Sequence, residues 1–171
     1  MATAQVTPEN NTVTAEIFIA APPDRVFQAI TDPAKTRQWW GQKNLYRVTE
    51  SHSDPRPGGK WSSAGVGADG TNFKVEGEYL EIEPPRLLVY TWVASYSGPM
   101  KTTVRWELEP HDVHGLHEGG KHRVGMGTMV KLRHDGFAGN VGAAKSHGDG
   151  WIRVLGWLQA FAETGATVDT R

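Results

Sequence analysis

The segment Ile17–Gly41 constrains the fold more than any other, because it predicts a strand and two short helices in rapid succession. It reads IFIAAPPDRVFQAITDPAKTRQWWG. Pro22-Pro23 ends the strand and suits a first helical turn, where a missing N–H costs nothing. Asp32-Pro33 repeats this start signal for a second helix, which the final glycine can close. Helices this short are unstable alone in water, so we expect both to pack against a large surface.

The composition excludes several classes of function. The chain has 171 residues, a formal net charge of −1 and no run of lysine or arginine, which argues against general nucleic-acid binding. It contains no cysteine, which excludes disulfides, thiol catalysis and cysteine-based zinc sites. No apolar run approaches the roughly 18–20 residues that span a bilayer, and residues 1–12 lack a signal-peptide core. The sequence therefore predicts a single-domain cytoplasmic protein without a membrane span.

Alternating apolar residues predict antiparallel strands through the middle of the chain. Together with the strand before Pro22, they suggest a sheet of about six to seven strands. The apolar parity changes near Leu80 and Ile82, which predicts a bulge or a bend in that strand. The six predicted strands of this middle region lie near residues 44–51, 60–64, 72–82, 87–94, 102–108 and 128–134.

The final element has a helical period instead. From Trp151 onward, apolar residues recur at spacings of three and four, as far as Phe161. We expect this helix to begin near Asp149 or Gly150 and to end before Gly165. Such a helix is the obvious cover for the buried face of a curved antiparallel sheet.

A curved sheet and one covering helix leave two interpretations of the interior. The aromatic residues pack the core completely, or part of the space stays open as a hydrophobic pocket with tyrosine hydroxyls and His134 as polar anchors. Strand parity leaves Tyr90 and Trp92 least certain to face inward, and Trp39-Trp40-Gly41 would form a lid at one end. The predicted ligand-binding residues are Trp39, Trp40, Trp61, Phe73, Tyr79, Tyr90, Trp92, Trp106, Val130, Leu132, His134, Trp151 and Leu155.

Six motifs resemble the bacterial homologues of the activator of heat-shock protein 90 ATPase, within the START-like (SRPBCC) superfamily. They are APPDRVFQAITDPAKTRQWWG at 21–41, DPRPGGKW at 54–61, VEGEYLEIEPPRLLVYTW at 75–92, VRWELEP at 104–110, GTMVKLRHDGF at 127–137 and HGDGWIRVLGWLQAF at 147–161. The resemblance implies an α+β helix-grip fold, in which a curved antiparallel sheet surrounds a long C-terminal helix. We expect this domain to span residues 13–165, with a flexible N-terminal tail at 1–12 and a C-terminal tail at 166–171.

Residues 110–123 depart from the pattern of that family as an inserted polar segment, PHDVHGLHEGGKHR. It holds His111, His114, His117 and His122, with Asp112 and Glu118 nearby. Spacings of three residues between imidazoles could gather ligands around a divalent metal. The segment lacks a helix signal and contains glycines, so we favour a flexible surface loop and predict neither a metal site nor a cofactor.

We interpret the chain as a protein that binds a small hydrophobic ligand between the sheet and the C-terminal helix. The resemblance implies two alternatives. One is a co-chaperone-like protein that binds an ATPase of the heat-shock protein 90 type. The other is an enzyme like the polyketide cyclases and dehydratases, for which His134 is the candidate catalytic residue. The family motifs carry no shared catalytic set, so the sequence favours a binding protein over an enzyme.

Overall fold

Strands and three helices account for most of the chain in the computed structural model, which describes residues 1–9, 11–97, 100–112, 116–118, 121–123 and 126–171. The strands are β1 (Thr3–Val6), β2 (Thr12–Ile19), β3 (Gly41–Gln42), β4 (Tyr46–Ser53), β5 (Lys60–Gly67), β6 (Asn72–Glu83), β7 (Leu87–Ala94), β8 (Lys101–Asp112), β9 (Leu116–Glu118), β10 (Lys121–Arg123) and β11 (Met126–Asp135). The helices are α1 (Pro23–Thr31), α2 (Pro33–Trp39) and α3 (Val141–Thr164). The predicted α+β helix-grip fold is confirmed.

The main sheet is antiparallel and has nine strands, in the order β1-β2-β11-β8-β7-β6-β5-β4-β3. The prediction of six to seven strands missed β1 and β3. Strand β1 lies inside the segment predicted to be a flexible tail, and it pairs with β2 from Thr3 opposite Glu16 to Val6 opposite Val13. The two residues of β3 pair with the start of β4 and, among the described strands, with no other. Both are edge strands too short to show a clear alternation.

The predicted irregularity of β6, a bulge or a bend, is confirmed as a bulge. The register between β6 and β7 shifts between Tyr79 and Glu81, so one residue of β6 is left without a partner on β7. A second shift lies in β4, between Val48 and Glu50. Irregularities of this kind increase the local twist and bend a strand. Both lie in the half of the sheet that surrounds the cavity described below.

Helix α3 begins earlier than predicted and ends where predicted. The side-chain oxygen of Asn140 accepts a hydrogen bond from Ala143 N at 3.0 Å and caps the start. Gly165 stops the helix in a left-handed conformation, with φ 76°. The first turns escaped prediction because the residues before Trp151 carry no apolar stripe. These turns are instead held by packing against the sheet. Because Gly148 has no side chain, the helix lies close to Val6 and Val13.

The residues after α3, predicted only as a C-terminal tail over 166–171, are docked against the domain. Val168 is only 1% exposed, and its N–H donates to Gln38 O at 2.8 Å. The Arg171 guanidinium donates to Trp39 O at 2.6 Å and to Gly41 O at 2.8 Å. The C-terminal segment therefore ties the end of α3 to the corner between α2 and β3.

The histidine-bearing segment 110–123 is partly strand rather than wholly loop. Strand β8 continues to Asp112, and β9 pairs with β10 so that position 117 faces position 122. His111 makes an edge contact with Phe18, with ring centroids 5.6 Å apart. His114 lies outside the described residues. Within the part of the chain that the structure describes, no three histidine, aspartate or glutamate side chains are grouped to hold a metal ion. No helix there is long and apolar enough to cross a membrane.

Candidate functional site: an aromatic cavity under the C-terminal helix

A cavity of about 380 Å³ lies between the β4–β7 half of the sheet, helix α2 and the middle of α3. Its aromatic lining residues are Trp40, Tyr46, Trp61, Phe73, Tyr79, Tyr90, Trp92, Tyr96 and Trp151. Leu45 and Tyr96, which are 38% and 60% exposed, lie where the cavity meets solvent. The interior therefore combines both interpretations of the sequence, since the aromatic residues pack against one another and still leave space.

The structure brings seven of the thirteen predicted site residues to the cavity: Trp40, Trp61, Phe73, Tyr79, Tyr90, Trp92 and Trp151. Tyr90 and Trp92, whose strand parity was ambiguous, are among them. The other six, Trp39, Trp106, Val130, Leu132, His134 and Leu155, are buried in the core outside the cavity lining. Strand alternation shows which face is buried, but it does not show which part of a buried face is filled by other side chains.

Trp39 and Trp40 have different roles in the proposed lid. Trp39 is fully buried, and its indole N–H donates to Ala29 O at 2.8 Å, which joins α2 to α1. Trp40 lines the cavity and packs edge-on against Trp151 at 6.0 Å between ring centroids. Its indole N–H donates to the Tyr46 hydroxyl at 3.2 Å. Only Trp40 is therefore a wall of the cavity.

Several polar groups in the wall are already paired with protein. The Tyr79 hydroxyl is 2.7 Å from Ser53 Oγ, and the Trp61 indole N–H donates to Thr91 O at 3.2 Å. Trp106, behind the wall, donates to the Tyr90 hydroxyl at 2.9 Å. Burial raises the pKa of both Tyr79 and Tyr90. These phenols are therefore neutral hydrogen-bonding groups of the wall and not acids or bases near neutral pH.

His134 is completely buried and has both ring nitrogens paired. The Trp151 indole can only donate, and it donates to Nδ1 at 3.0 Å. The ring proton of neutral His134 therefore sits on Nε2, which is 2.6 Å from Thr102 Oγ1. That hydroxyl in turn donates to Trp92 O at 3.3 Å. His134 thus joins β11 to α3 and β8, and it is not in contact with the cavity in which it was predicted to act.

His147, on α3 one turn before Trp151, lines the cavity, although it is not among the predicted site residues. Its Nδ1 lies 2.8 Å from Ala143 O, which only accepts, so Nδ1 carries the ring proton. Burial lowers the pKa of this imidazole below its ordinary value of 6.5, and the hydrogen bond to Ala143 opposes that change. The neutral ring therefore has an acceptor lone pair on Nε2. The signal in the sequence was the spacing of four from Trp151, which places both side chains on one helical face.

Trp92 contacts several other rings in and behind the cavity wall. It is 8% exposed, and its ring lies 5.7 Å from both Trp61 and Trp151 and 5.6 Å from His134, measured between centroids. Its indole N–H lies near the Tyr96 hydroxyl and lowers the pKa of that phenol, but burial raises it more, to about 12. The Trp92 N–H nevertheless makes no hydrogen bond of normal geometry to any described residue.

The antiparallel sheet, the long C-terminal helix and the open cavity between them define the class of this molecule, which is that of the helix-grip proteins. Residues 20–116, more than half of the chain, match the family model described as Activator of Hsp90 ATPase homolog 1-like protein. The chain belongs to that family. None of the curated proteins compared with the sequence matches it.

Solved structures show the same fold at low sequence identity. A protein from Rhodobacter sphaeroides is 21% identical with a TM-score of 0.73, over 94% of this chain and 97% of the other. The AHSA1 protein from Silicibacter pomeroyi is 25% identical with a TM-score of 0.68, over 87% and 95%. DynU16, a protein of the dynemicin biosynthetic locus, is 21% identical with a TM-score of 0.66, over 92% of this chain and 49% of that one.

Proposed function

We propose that this protein binds a small, largely apolar ligand in the cavity between the sheet and α3, in the cytoplasm. The main observation in support is that a space of about 380 Å³ stays open among nine aromatic lining side chains. That volume is within the range of roughly 300–1,000 Å³ typical of small-molecule sites. Flat aromatic walls suit a ligand with its own aromatic or polycyclic surface, because such rings pack well edge-on or offset.

A thermal-shift screen against hydrophobic metabolites tests this proposal. A ligand present at about 100 times its dissociation constant stabilises the folded state by about 2.7 kcal/mol. For a domain of this size, that corresponds to an increase in Tm of roughly 5–10 °C. A library that produces no increase in Tm would contradict ligand binding.

Two neighbouring positions on β5 provide a matched pair of variants. Ser63 lines the cavity, whereas Ser62 belongs to the opposite face of the strand and does not. Ser63→Phe should fill the space and abolish the increase in Tm caused by a hit from the screen. Ser62→Phe adds the same side chain and should keep that increase. Equal responses from the two variants would place the ligand somewhere other than the cavity.

The family description supports a second candidate, binding to an ATPase of the heat-shock protein 90 type. Titration of the purified chaperone with this protein should then give saturable binding and faster ATP turnover. Ser63→Phe distinguishes the two candidates, because filling an internal cavity should not alter a protein–protein surface. We do not extend the proposal to cyclase or dehydratase chemistry through His134, whose two nitrogens are occupied by Trp151 and Thr102.

A further inference from the structure

Two cavity-lining side chains each have a buried polar atom without a hydrogen-bond partner among the described residues. They are the indole Nε1 of Trp92 and the Nε2 of His147. The two rings are neighbours, with centroids 6.3 Å apart and planes at 80°. Buried polar atoms are nearly always paired, because an unpaired one keeps the full cost of losing water. Two such atoms on neighbouring rings that line one cavity therefore point to a ligand group that the cavity is built to receive.

Each of the two atoms has a defined hydrogen-bonding role. An indole N–H is a donor only. The Nε2 of His147 is an acceptor, because Nδ1 uses its proton on Ala143 O. The pair thus offers one donor and one acceptor, and burial keeps the imidazole neutral by lowering its pKa.

Among the described residues, no neighbouring group makes a hydrogen bond of normal geometry to either atom. His134 lies 5.0 Å from His147 between ring centroids, but its nitrogens are committed to Thr102 and Trp151. Phe137, also at 5.0 Å, has no polar atom to offer. The Tyr96 hydroxyl lies near the Trp92 N–H, but the two groups make no hydrogen bond of normal geometry. The Tyr96 ring stacks against His147 at 6.2 Å and at an angle of 29°, which leaves a flat aromatic surface beside the acceptor.

We propose that the ligand carries a hydroxyl group, which accepts a hydrogen bond from Trp92 Nε1 and donates one to His147 Nε2, on an aromatic body that packs against the cavity wall. The inference rests on the proposed function, since it specifies the ligand of the same cavity. A hydroxyl is the simplest group that both accepts and donates. An ether or ketone accepts only and leaves His147 unpaired, and a carboxylate cannot donate and carries a charge that burial disfavours.

The test compares two probes of nearly equal shape, 2-naphthol and 2-fluoronaphthalene, by isothermal titration calorimetry. We expect 2-naphthol to bind about tenfold more tightly, because only its hydroxyl can pair both buried atoms. In the NMR spectrum, the Trp92 indole N–H resonance should move downfield with 2-naphthol and much less with 2-fluoronaphthalene. Both readouts use the unaltered protein, so they hold whether or not a variant folds.

Variants then assign the preference to the two side chains. His147→Phe and Trp92→Phe each remove one polar atom and keep a ring, so each should reduce the tenfold preference to about threefold or less. His111→Phe, at an exposed position of β8 away from the cavity, should keep the full preference. Equal affinity for the two probes in the unaltered protein would overturn the hydroxyl proposal and leave the cavity proposal intact. If neither probe binds, the result contradicts both.

Discussion

His134 and His147 are neighbours in the interior, but their hydrogen bonds give them different roles. His134 uses both nitrogens to connect Thr102 and Trp151, so it belongs to the framework of the fold. His147 uses one nitrogen on its own helix and leaves the other buried at the cavity wall. Burial lowers the pKa of both imidazoles, and for His134 the nearby His147 lowers it further. Their shared consequence is a dependence of stability on pH.

We predict that the free energy of unfolding falls as the pH drops below about 6.5. Because the folded-state pKa values are lowered, the unfolded chain binds more protons below the ordinary histidine pKa. This contribution is fully present above about pH 6.5 and is lost progressively towards lower pH. For fully buried His134 the slope approaches about 1.4 kcal/mol per pH unit. Urea unfolding followed at pH 7.5 and pH 5.5 measures the loss.

The variant His134→Gln separates this residue from other titrating groups. It should be less stable than the unaltered protein at pH 7.5, since hydrogen bonds within a buried network are lost, at about 1–3 kcal/mol for each atom left unpaired. It should also lose less stability between pH 7.5 and pH 5.5, because one buried imidazole no longer titrates. His111→Gln, at an exposed site, serves as the control. A pH dependence unchanged by His134→Gln would refute the assignment.

Two glycines, Gly77 in β6 and Gly156 in α3, differ in how much space surrounds them. At Gly77 in β6, an added Cβ would overlap the Thr91 carbonyl on β7 and lie 2.7 Å from Trp61 Nε1. This missing side chain lets the Trp61 indole reach across β6 to Thr91 O. At Gly156 in α3, no described atom outside the neighbouring helix backbone lies within 4 Å of an added Cβ. The first glycine is required by packing, and the second only lowers helix stability.

The same substitution should therefore have opposite effects at the two positions. Gly156→Ala should raise the free energy of unfolding by about 1 kcal/mol, through helix propensity and a less flexible unfolded chain. Gly77→Ala should lower it by about 3 kcal/mol, because β6 and β7 must separate or the Trp61 side chain must move. Urea unfolding of the two variants in parallel tests both. A stabilising Gly77→Ala would contradict the close approach of Trp61 to Thr91.

The elements that could be predicted from sequence are those whose residues alone carry the signal. Strand β7 has the predicted bounds, because Leu87–Ala94 is a largely apolar run rich in β-branched and aromatic residues. The bulge in β6 and the end of α3 were also visible, in a change of parity and in a glycine. Strand β1 and the first turns of α3 depend on each other and on β2 for their packing, so neither shows its own periodicity.

The cavity was predictable only in outline, for a related reason. Alternation and helical spacing identify inward-facing residues, and seven of these proved to be wall residues. Whether an inward residue faces space or another side chain depends on the curvature of the sheet. Trp106 is fully buried in the core, whereas Trp92, on the neighbouring strand, lines the cavity. Tyr46 and His147 were missed because each lies near the start of its element, where the pattern is weakest.

On the scale of the whole molecule, the C-terminal segment closes the fold around the cavity. Residues 166–171 leave α3 and return to α2, where the Arg171 guanidinium bonds two carbonyls and lies 5.4 Å from the centre of the Trp157 ring. One of those carbonyls belongs to Trp39, and the next residue, Trp40, lines the cavity. The segment therefore holds the lid end of the cavity against the helix that covers it.

We predict that Arg171→Ala destabilises the fold by about 2–3 kcal/mol, since hydrogen bonds from a charged donor and a cation–π contact are both lost. Its effect should be concentrated at the lid, so hydrogen exchange should accelerate at the amides of α2 and β3 more than at those of β8 and β11. Asp169→Asn is the matched control: it removes an exposed ion pair with Arg47 at 3.1 Å, worth less than about 1 kcal/mol.

Because Trp40 follows directly from α2, Arg171→Ala should also weaken binding of any cavity ligand found by thermal shift, and Asp169→Asn should not. Uniformly faster exchange throughout the sheet would show that Arg171 supports global stability without a particular hold on the lid.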